Sequence, residues 1–426
     1  MFSILASLAL GVVPIDYYFT PASGSITIKS PQIPILKDPK LKAEVVFKGL
    51  KFPTSMAFLG PDDILVLEKN NGTVRRIVGG KTLPEPLLDV NVATKEERGM
   101  LGIAVAKHDH GPTYVFLYYT EAATKDGDDV SEGKQPLGNR LYRYELEQNK
   151  LVNPKLFLNL PVSHDALHNG GKVLIGPDKN VYVGVGDLEH PTEAENYESG
   201  LKPDGTGGIL RITQDSVAVK SNPLGNADPV NLYYAYGIRN SFGMDFDPLT
   251  GKLWDTENGP GYGDEINLVE PGFNSGWARV QGIWQPIKHN YYPGNITLNP
   301  DNLVDFDGKG KYRLPEFTWY NNTGPTAIKF FDSNKLGKEY KDGIFVGDFH
   351  KGNLYHFDLN KKRTQLTLKG QLDDKVANNT KELQNIIFGQ GFGAITDIQV
   401  GPDDGYLYVV SISYGAIYRI APVNEH

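Results

Sequence analysis

Two residues of the chain are typed and placed for proton chemistry, His168 and Asp187, at the ends of the stretch HNGGKVLIGPDKNVYVGVGD. His168 opens a diglycine turn, and the apolar run Lys172 to Ile175 follows it. A Gly-Pro-Asp turn then leads into the alternating run Asn180 to Gly186 and so to Asp187. A two-strand hairpin brings its outer ends side by side, so the spacing predicts that His168 and Asp187 are neighbours. An imidazole oriented by a carboxylate is equipped to take a proton from a substrate. A solvated hairpin carrying two ordinary polar residues would have the same sequence.

The elements that must position this pair belong to a repeat. MAFLGPDDILVLEKNNGTVRRI from Met56, IAVAKHDHGPTYVFLYYT from Ile103 and VLIGPDKNVYVGVGD from Val173 share one pattern. So do the segments starting at Met244, Ile328 and Ile398. Each has a strand, a turn rich in Gly, Pro and Asp, a second strand, and weaker third and fourth strands. Six such units predict an all-β chain folded as a six-bladed β-propeller with four-stranded antiparallel blades. A pair of β-sandwiches or a solenoid would not require the first two strands of every unit to be alike. Residues 43–50 precede the first unit and are expected to close the ring against the last blade, so the propeller domain is taken as 43–426. Residues 14–42 are Pro-rich and are expected to form an extended arm.

Composition supports many short strands joined by tight turns: 47 Gly and 28 Pro punctuate the chain, with 23 Tyr and 19 Phe. A net charge of −8 and no basic stripe exclude a nucleic-acid partner. The absence of cysteine excludes disulfides, thiolate metal sites and a Cys nucleophile. Ile4 to Val13 is an apolar run of ten residues, the length of a signal-peptide core and too short to span a bilayer. Residues 1–13 are therefore read as a signal or short anchor, with a buried first strand as the alternative. Sequons at Asn71, Asn295, Asn321 and Asn378 fit an exported protein. The expectation is a secreted or cell-surface protein, monomeric or homodimeric, with possible membrane-surface association through the N-terminus.

In a propeller every first strand is entered from one face, and the loop after every second strand returns to it. Glu97, Arg98, His168, Arg239, Asn240 and Ala394 to Thr396 precede first strands, while Glu68, Asp187, Asn258, Gly259, Pro260, His350 and Lys351 follow second strands. These groups should converge on one funnel, which is the arrangement of a ligand site. His164 and His168 flank Asp165 in a loop, with His190 nearby, and lack the spacing of a zinc site. His108 and His110 fall in a turn on the opposite face. Trp277, Trp284 and Trp319 are candidates for stacking on a sugar or for packing inside a blade.

The motifs GLKFPTSMAF, ERGMLGIAV, HNGGKVLIGPDKNVYVGVGD, YAYGIRNSFGMDFDP and ENGPGYGDEINLVEPGFNSGW carry a resemblance. From about Gly49 to Ile420 the chain resembles the glucose/sorbosone dehydrogenase family, soluble aldose dehydrogenases that use pyrroloquinoline quinone (PQQ). The resemblance implies a six-bladed propeller that oxidises the C1 hydroxyl of aldoses to lactones, with calcium assisting the quinone and an electron acceptor still to be named. It implies that His168 takes the proton, that Asp187 orients it, and that Arg239 and Asn240 stand beside the quinone carbonyl. Glu97, Asn258, His350, Lys351 and Thr396 are the further cofactor positions. It also implies calcium on the backbone oxygens of Gly259 and Pro260. A second, structural calcium is implied at Glu265 and the carbonyl of Ser275, where a Tyr is common.

The chain departs from the family where the carboxylates of PQQ are usually gripped. An Arg-x-Arg pair is common before the last blade, and here GAITDI places Ala394 and Thr396. Lys351, Arg98 and Lys329 are the cations that could compensate. A calcium-dependent lactonase-type hydrolase and a non-catalytic glycan- or partner-binding propeller are the alternative functions these residues allow.

Overall fold

The computed structural model describes residues 28–131, 133–198, 200–283 and 303–424. The signal or anchor segment, residues 14–27 of the expected arm, Trp284 and Asn295 lie outside them. Among the described residues no helix is long and apolar enough to cross a membrane.

The strands sort into six sheets, and the chain is an all-β propeller. Each sheet has a core of four antiparallel strands, in sequence order in every sheet but the last. The first strands, Pro53–Gly60, Met100–Ala106, Val173–Ile175, Ser241–Phe246, Pro325–Phe331 and Ile395–Val400, contact one another in that order and back to the first. Alternation explains why they hold together. In Leu65, Leu67 and Val74 of the first sheet, and Val115 and Leu117 of the second, inward side chains are fully buried between neighbouring sheets. The last sheet is completed by Leu41–Lys48, which pairs antiparallel with Ala416–Pro422. Arg419 fixes that register through Glu44.

The four-strand expectation is exceeded at several outer edges. Phe273–Asn274 and Lys311–Tyr312 extend the third sheet in parallel, and Val376–Ala377 extends the fourth. Ile35–Leu36, within the expected arm, pairs with Ile387–Gln390 at the edge of the fifth. The long insertions thus return to cover strand edges that would otherwise present unpaired amide and carbonyl groups.

Below the funnel an ion pair spans the channel. Lys172 Nζ, beside the third sheet, donates to Asp397 Oδ1 of the sixth at 2.6 Å, and both side chains are buried. Ser55 Oγ and the Met56 N–H of the first sheet donate to Asp397 Oδ2 at 2.9 and 2.8 Å. Three first-strand regions are therefore tied at one point, with the buried charges satisfied by each other and by backbone.

Candidate active site

The hairpin holds His168 against Asp187, Nδ1 to Oδ1 at 2.7 Å, with both residues buried. His168 lies in the left-handed region at φ 57°, a conformation that carries a cost for a residue with a Cβ. Glu97 Oε2 holds it there by accepting the His168 N–H at 2.7 Å. The glycines around it are required by contact: a Cβ on Gly186 would meet the His168 carbonyl oxygen at 2.0 Å, and one on Gly170 would meet the Gly184 carbonyl oxygen at 2.4 Å.

Asp187 accepts from three directions: His168, the Glu189 N–H at 3.1 Å, and the Trp277 indole Nε1–H at 2.6 Å. Burial pushes its carboxyl upward, but the His168 hydrogen bond and charge, the Glu189 N–H and the Arg239 charge together bring it below the usual carboxylate range. Asp187 is thus an anion, so His168 Nδ1 is the donor. Nε2 is left as the basic nitrogen.

Arg239 and Asn240 join this pair through backbone and side chain. The Arg239 carbonyl accepts the Asp187 N–H at 2.8 Å. Asn240 Oδ1 accepts the Gly170 N–H at 3.1 Å, and its Nδ2 donates to Glu97 Oε2 at 3.3 Å. Asn258 follows, its N–H on the Asn240 carbonyl at 2.9 Å. The sequence-predicted residues Glu97, His168, Asp187, Arg239, Asn240 and Asn258 therefore form one continuous network. Two of its buried polar atoms, Arg239 Nε and Asn258 Oδ1, have no hydrogen-bond partner among the described residues, as expected where a polar ligand group completes a site.

His350, Lys351 and Thr396 stay outside the network. The His350 ring rests against Gly324, and Lys351 is exposed. Thr396 Oγ1 donates to the Pro53 carbonyl at 3.1 Å, so its hydroxyl proton is committed. Arg98 is committed too, to Asp129 at 2.8 Å and the Ser163 carbonyl at 2.5 Å, and Lys329 binds Asp245 at 3.0 Å. On the funnel side, Lys351 and Lys69 form no ion pair among the described residues; Lys69 donates to the Glu96 carbonyl at 2.8 Å and Asn70 Oδ1 at 3.1 Å.

The two calcium expectations fare differently. Arg239 donates from one terminal nitrogen to the carbonyls of Asn258 and Gly259, each at 3.0 Å. A divalent ion on the Gly259 and Pro260 oxygens would sit against that guanidinium. The next acid along the chain, Asp264, is already filled by the N–H groups of Gly259, Thr323 and Gly324. Calcium does not fit beside Arg239 in this arrangement.

Around Glu265 several acids gather instead, each already holding donors: Glu265 accepts from Gln281 Nε2 and Asn267 Nδ2, both at 3.2 Å, and from the Gly282 N–H, while Glu257 Oε1 accepts the Arg239 N–H at 2.7 Å. Ser275 Oγ donates to Glu257 Oε2 at 2.6 Å and lies 3.3 Å from Glu265 Oε2. Asp255, Glu257 and Glu265 are buried on paired strands, with Asp255 beside the side chains of Ser241 and Asn267. Burial drives all three upward, Asp255 to about 7, and their mutual repulsion adds to the effect at Glu257 and Glu265. Hard oxygens without a cation suit calcium, although among the described residues no three acidic or His side chains already converge at ligating distance. The signal was present in LWDTEN, which places Asp255 and Glu257 at alternate positions directly after Leu253 and Trp254.

Other candidates are placed plainly. His164 is exposed beside Asp165, and His190 binds Asp204 at 2.8 Å. His108 is exposed and bonded to its own turn, Nδ1 to the Pro112 carbonyl at 3.1 Å. Trp319 is buried in blade packing.

Fold and site together define a propeller with a buried His–carboxylate base and an arginine at one end of its axis. The family model for Glucose / Sorbosone dehydrogenase matches residues 50–419, and the chain belongs to that family. It is 25% identical to aldose sugar dehydrogenase YliI of Escherichia coli, over 90% of this chain and 94% of that one. It is 28% identical to quinoprotein glucose dehydrogenase B of Acinetobacter calcoaceticus, over 70% of this chain and 64% of that one. A putative oxidoreductase (glucose dehydrogenase) of Thermus thermophilus superposes with a TM-score of 0.67 at 25% identity, over 89% of this chain and 99% of that one. The PQQ-bound aldose sugar dehydrogenase of Streptomyces coelicolor shares the fold, with a TM-score of 0.64 at 21% identity over 90% and 99% of the two chains.

Proposed function

We propose that this chain, whose six sheets we read as the six blades of one ring, oxidises the C1 hydroxyl of an aldose to the lactone with PQQ as hydride acceptor. The observation that carries the reading is the buried His168–Asp187 pair joined to Arg239 through the backbone. His168 Nε2 takes the hydroxyl proton, and Asp187 stabilises the imidazolium that results. Arg239, with an unpartnered Nε–H, and Asn240 would hold the quinone carbonyl end, and Lys69 and Lys351 the carboxylates. PQQ, when bound, supplies the two-electron acceptor. The reading includes an extracytoplasmic location, which the apolar run at Ile4 to Val13 supports.

Titration of the protein with PQQ and calcium, followed by dye-linked oxidation of aldoses, tests the proposal. Turnover that rises with PQQ is expected. No turnover at saturating PQQ, or hydrolysis of sugar lactones without quinone, would overturn it.

We place calcium, within the same reading, at Asp255, Glu257, Glu265 and Ser275. The raised carboxyls give a stability signature. Their folded values lie above the unfolded ones near 4, so the folded state holds their protons more tightly. That stability is complete below about pH 4 and is lost as pH rises through about 7, the value reached by Asp255. In chelator the melting temperature is expected to fall between pH 5 and 8, and calcium should flatten the fall. Equal slopes with calcium and with chelator would remove the cation from this cluster.

A further inference from the structure

Trp277 bridges the two charged halves of the site. Its Nε1–H donates to Asp187 Oδ2 at 2.6 Å, on the carboxylate oxygen that His168 does not use. Its ring face carries the Arg239 guanidinium, whose carbon lies 5.3 Å from the ring centroid. An indole meets an anion with its N–H edge and a cation with its π face, so one neutral residue satisfies both.

The loop beneath the ring is fixed independently. The Trp277 N–H donates to the Gly237 carbonyl at 2.9 Å, and the Trp277 carbonyl accepts from Asn196 Nδ2 at 2.7 Å. The Ala278 N–H donates to the Glu195 carbonyl at 2.7 Å. The ring is thus presented to the two charges on a loop pinned on either side.

Asp187 and Arg239 attract each other, and the Arg239 charge is among those that stabilise the Asp187 anion. With nothing between them they would pair directly, drawing the carboxylate away from His168 and the guanidinium away from the funnel. We propose that Trp277 is a positioning residue that keeps Asp187 on His168 and Arg239 toward the ligand by bonding to both. The role in turnover rests on the dehydrogenase reading above; the bonding itself does not.

The chain has four Trp, hence four indole N–H signals in a spectrum of protein labelled with 15N-tryptophan. The Trp277 signal should lie downfield of the ordinary range because of its short bond to a carboxylate. Asp187→Asn, which keeps the shape and removes the charge, should move that signal upfield, and Arg239→Lys should move the same one. No indole signal responding to both substitutions would overturn the proposal, whether or not any sugar is oxidised. In turnover, Trp277→Phe keeps a ring face and loses the N–H bond. It should lower kcat about ten- to a hundredfold, the weight of one hydrogen bond to a charged group, with KM little changed. A folded Trp277→Phe protein with unaltered kcat, or with KM alone changed, would overturn it as well.

Discussion

His168→Ala is expected to lower kcat for aldose oxidation by about two to four orders of magnitude, the usual contribution of a positioned general base. The side chain is the one imidazole in the central network, and its Nδ1 is committed to Asp187 at 2.7 Å. Nothing else there can take the hydroxyl proton as well. Glu97 is occupied by the His168 N–H and Asn240, and Arg239 is a cation. The affinity for PQQ, measured by fluorescence titration, should stay nearly unchanged, since the proposed grip lies on other residues. Asp187→Asn should fall between wild type and His168→Ala, because the imidazole remains but loses its anion. Retention of wild-type kcat by His168→Ala would remove the proton-transfer assignment altogether.

The second large effect concerns cofactor affinity and runs in the opposite direction. Ala394→Arg combined with Thr396→Arg should tighten PQQ binding by about two to four orders of magnitude. Each new guanidinium can form a charge-assisted hydrogen bond worth roughly 1.5–3 kcal/mol, and each 1.4 kcal/mol is about tenfold. The structure sharpens this expectation. Two of the cations that could have compensated, Arg98 and Lys329, are tied to Asp129 and Asp245. Thr396 gives up one hydroxyl bond to the Pro53 carbonyl, a small loss against the gain. A calorimetric titration in which the double variant binds PQQ no tighter than wild type would show that the carboxylates are held elsewhere.

The His168–Asp187 contact was legible in the sequence because a tight hairpin converts spacing into proximity with no long-range information. The repeat was legible for a related reason, since each unit is local. What could not be read is whatever depends on rotamers and on how distant segments meet. Arg239 stands before the first strand of its own hairpin, and its bonds across that hairpin to the Asn258 and Gly259 carbonyls depend on a choice of rotamer. Trp277 offered two readings, sugar stacking or blade packing, and neither foresaw that its N–H would meet a carboxylate ninety residues away on a different loop of the same sheet. The same holds for Lys172 and Asp397, which no spacing rule would pair across the channel. Asp255 is the one miss with a local signal, a carboxylate next to Leu253 and Trp254 in a strand buried along its whole length, where a buried acid asks for an explanation.

The last sheet takes one strand from near the start of the chain and three from its end, in register from Leu41 opposite Pro422 to Lys48 opposite Ala416. With no cysteine anywhere in the chain, that join is held by hydrogen bonds, packing and the Arg419–Glu44 ion pair rather than by a covalent link. Synthesis therefore produces an open arc whose strand at Leu41–Lys48 has no ladder partner until Ala416–Pro422 has emerged. The ring cannot close before that point, and the closing step joins segments very far apart in sequence. Contacts of that separation form slowly, so a chain stalled short of Ala416 exposes a strand edge that the closed ring conceals.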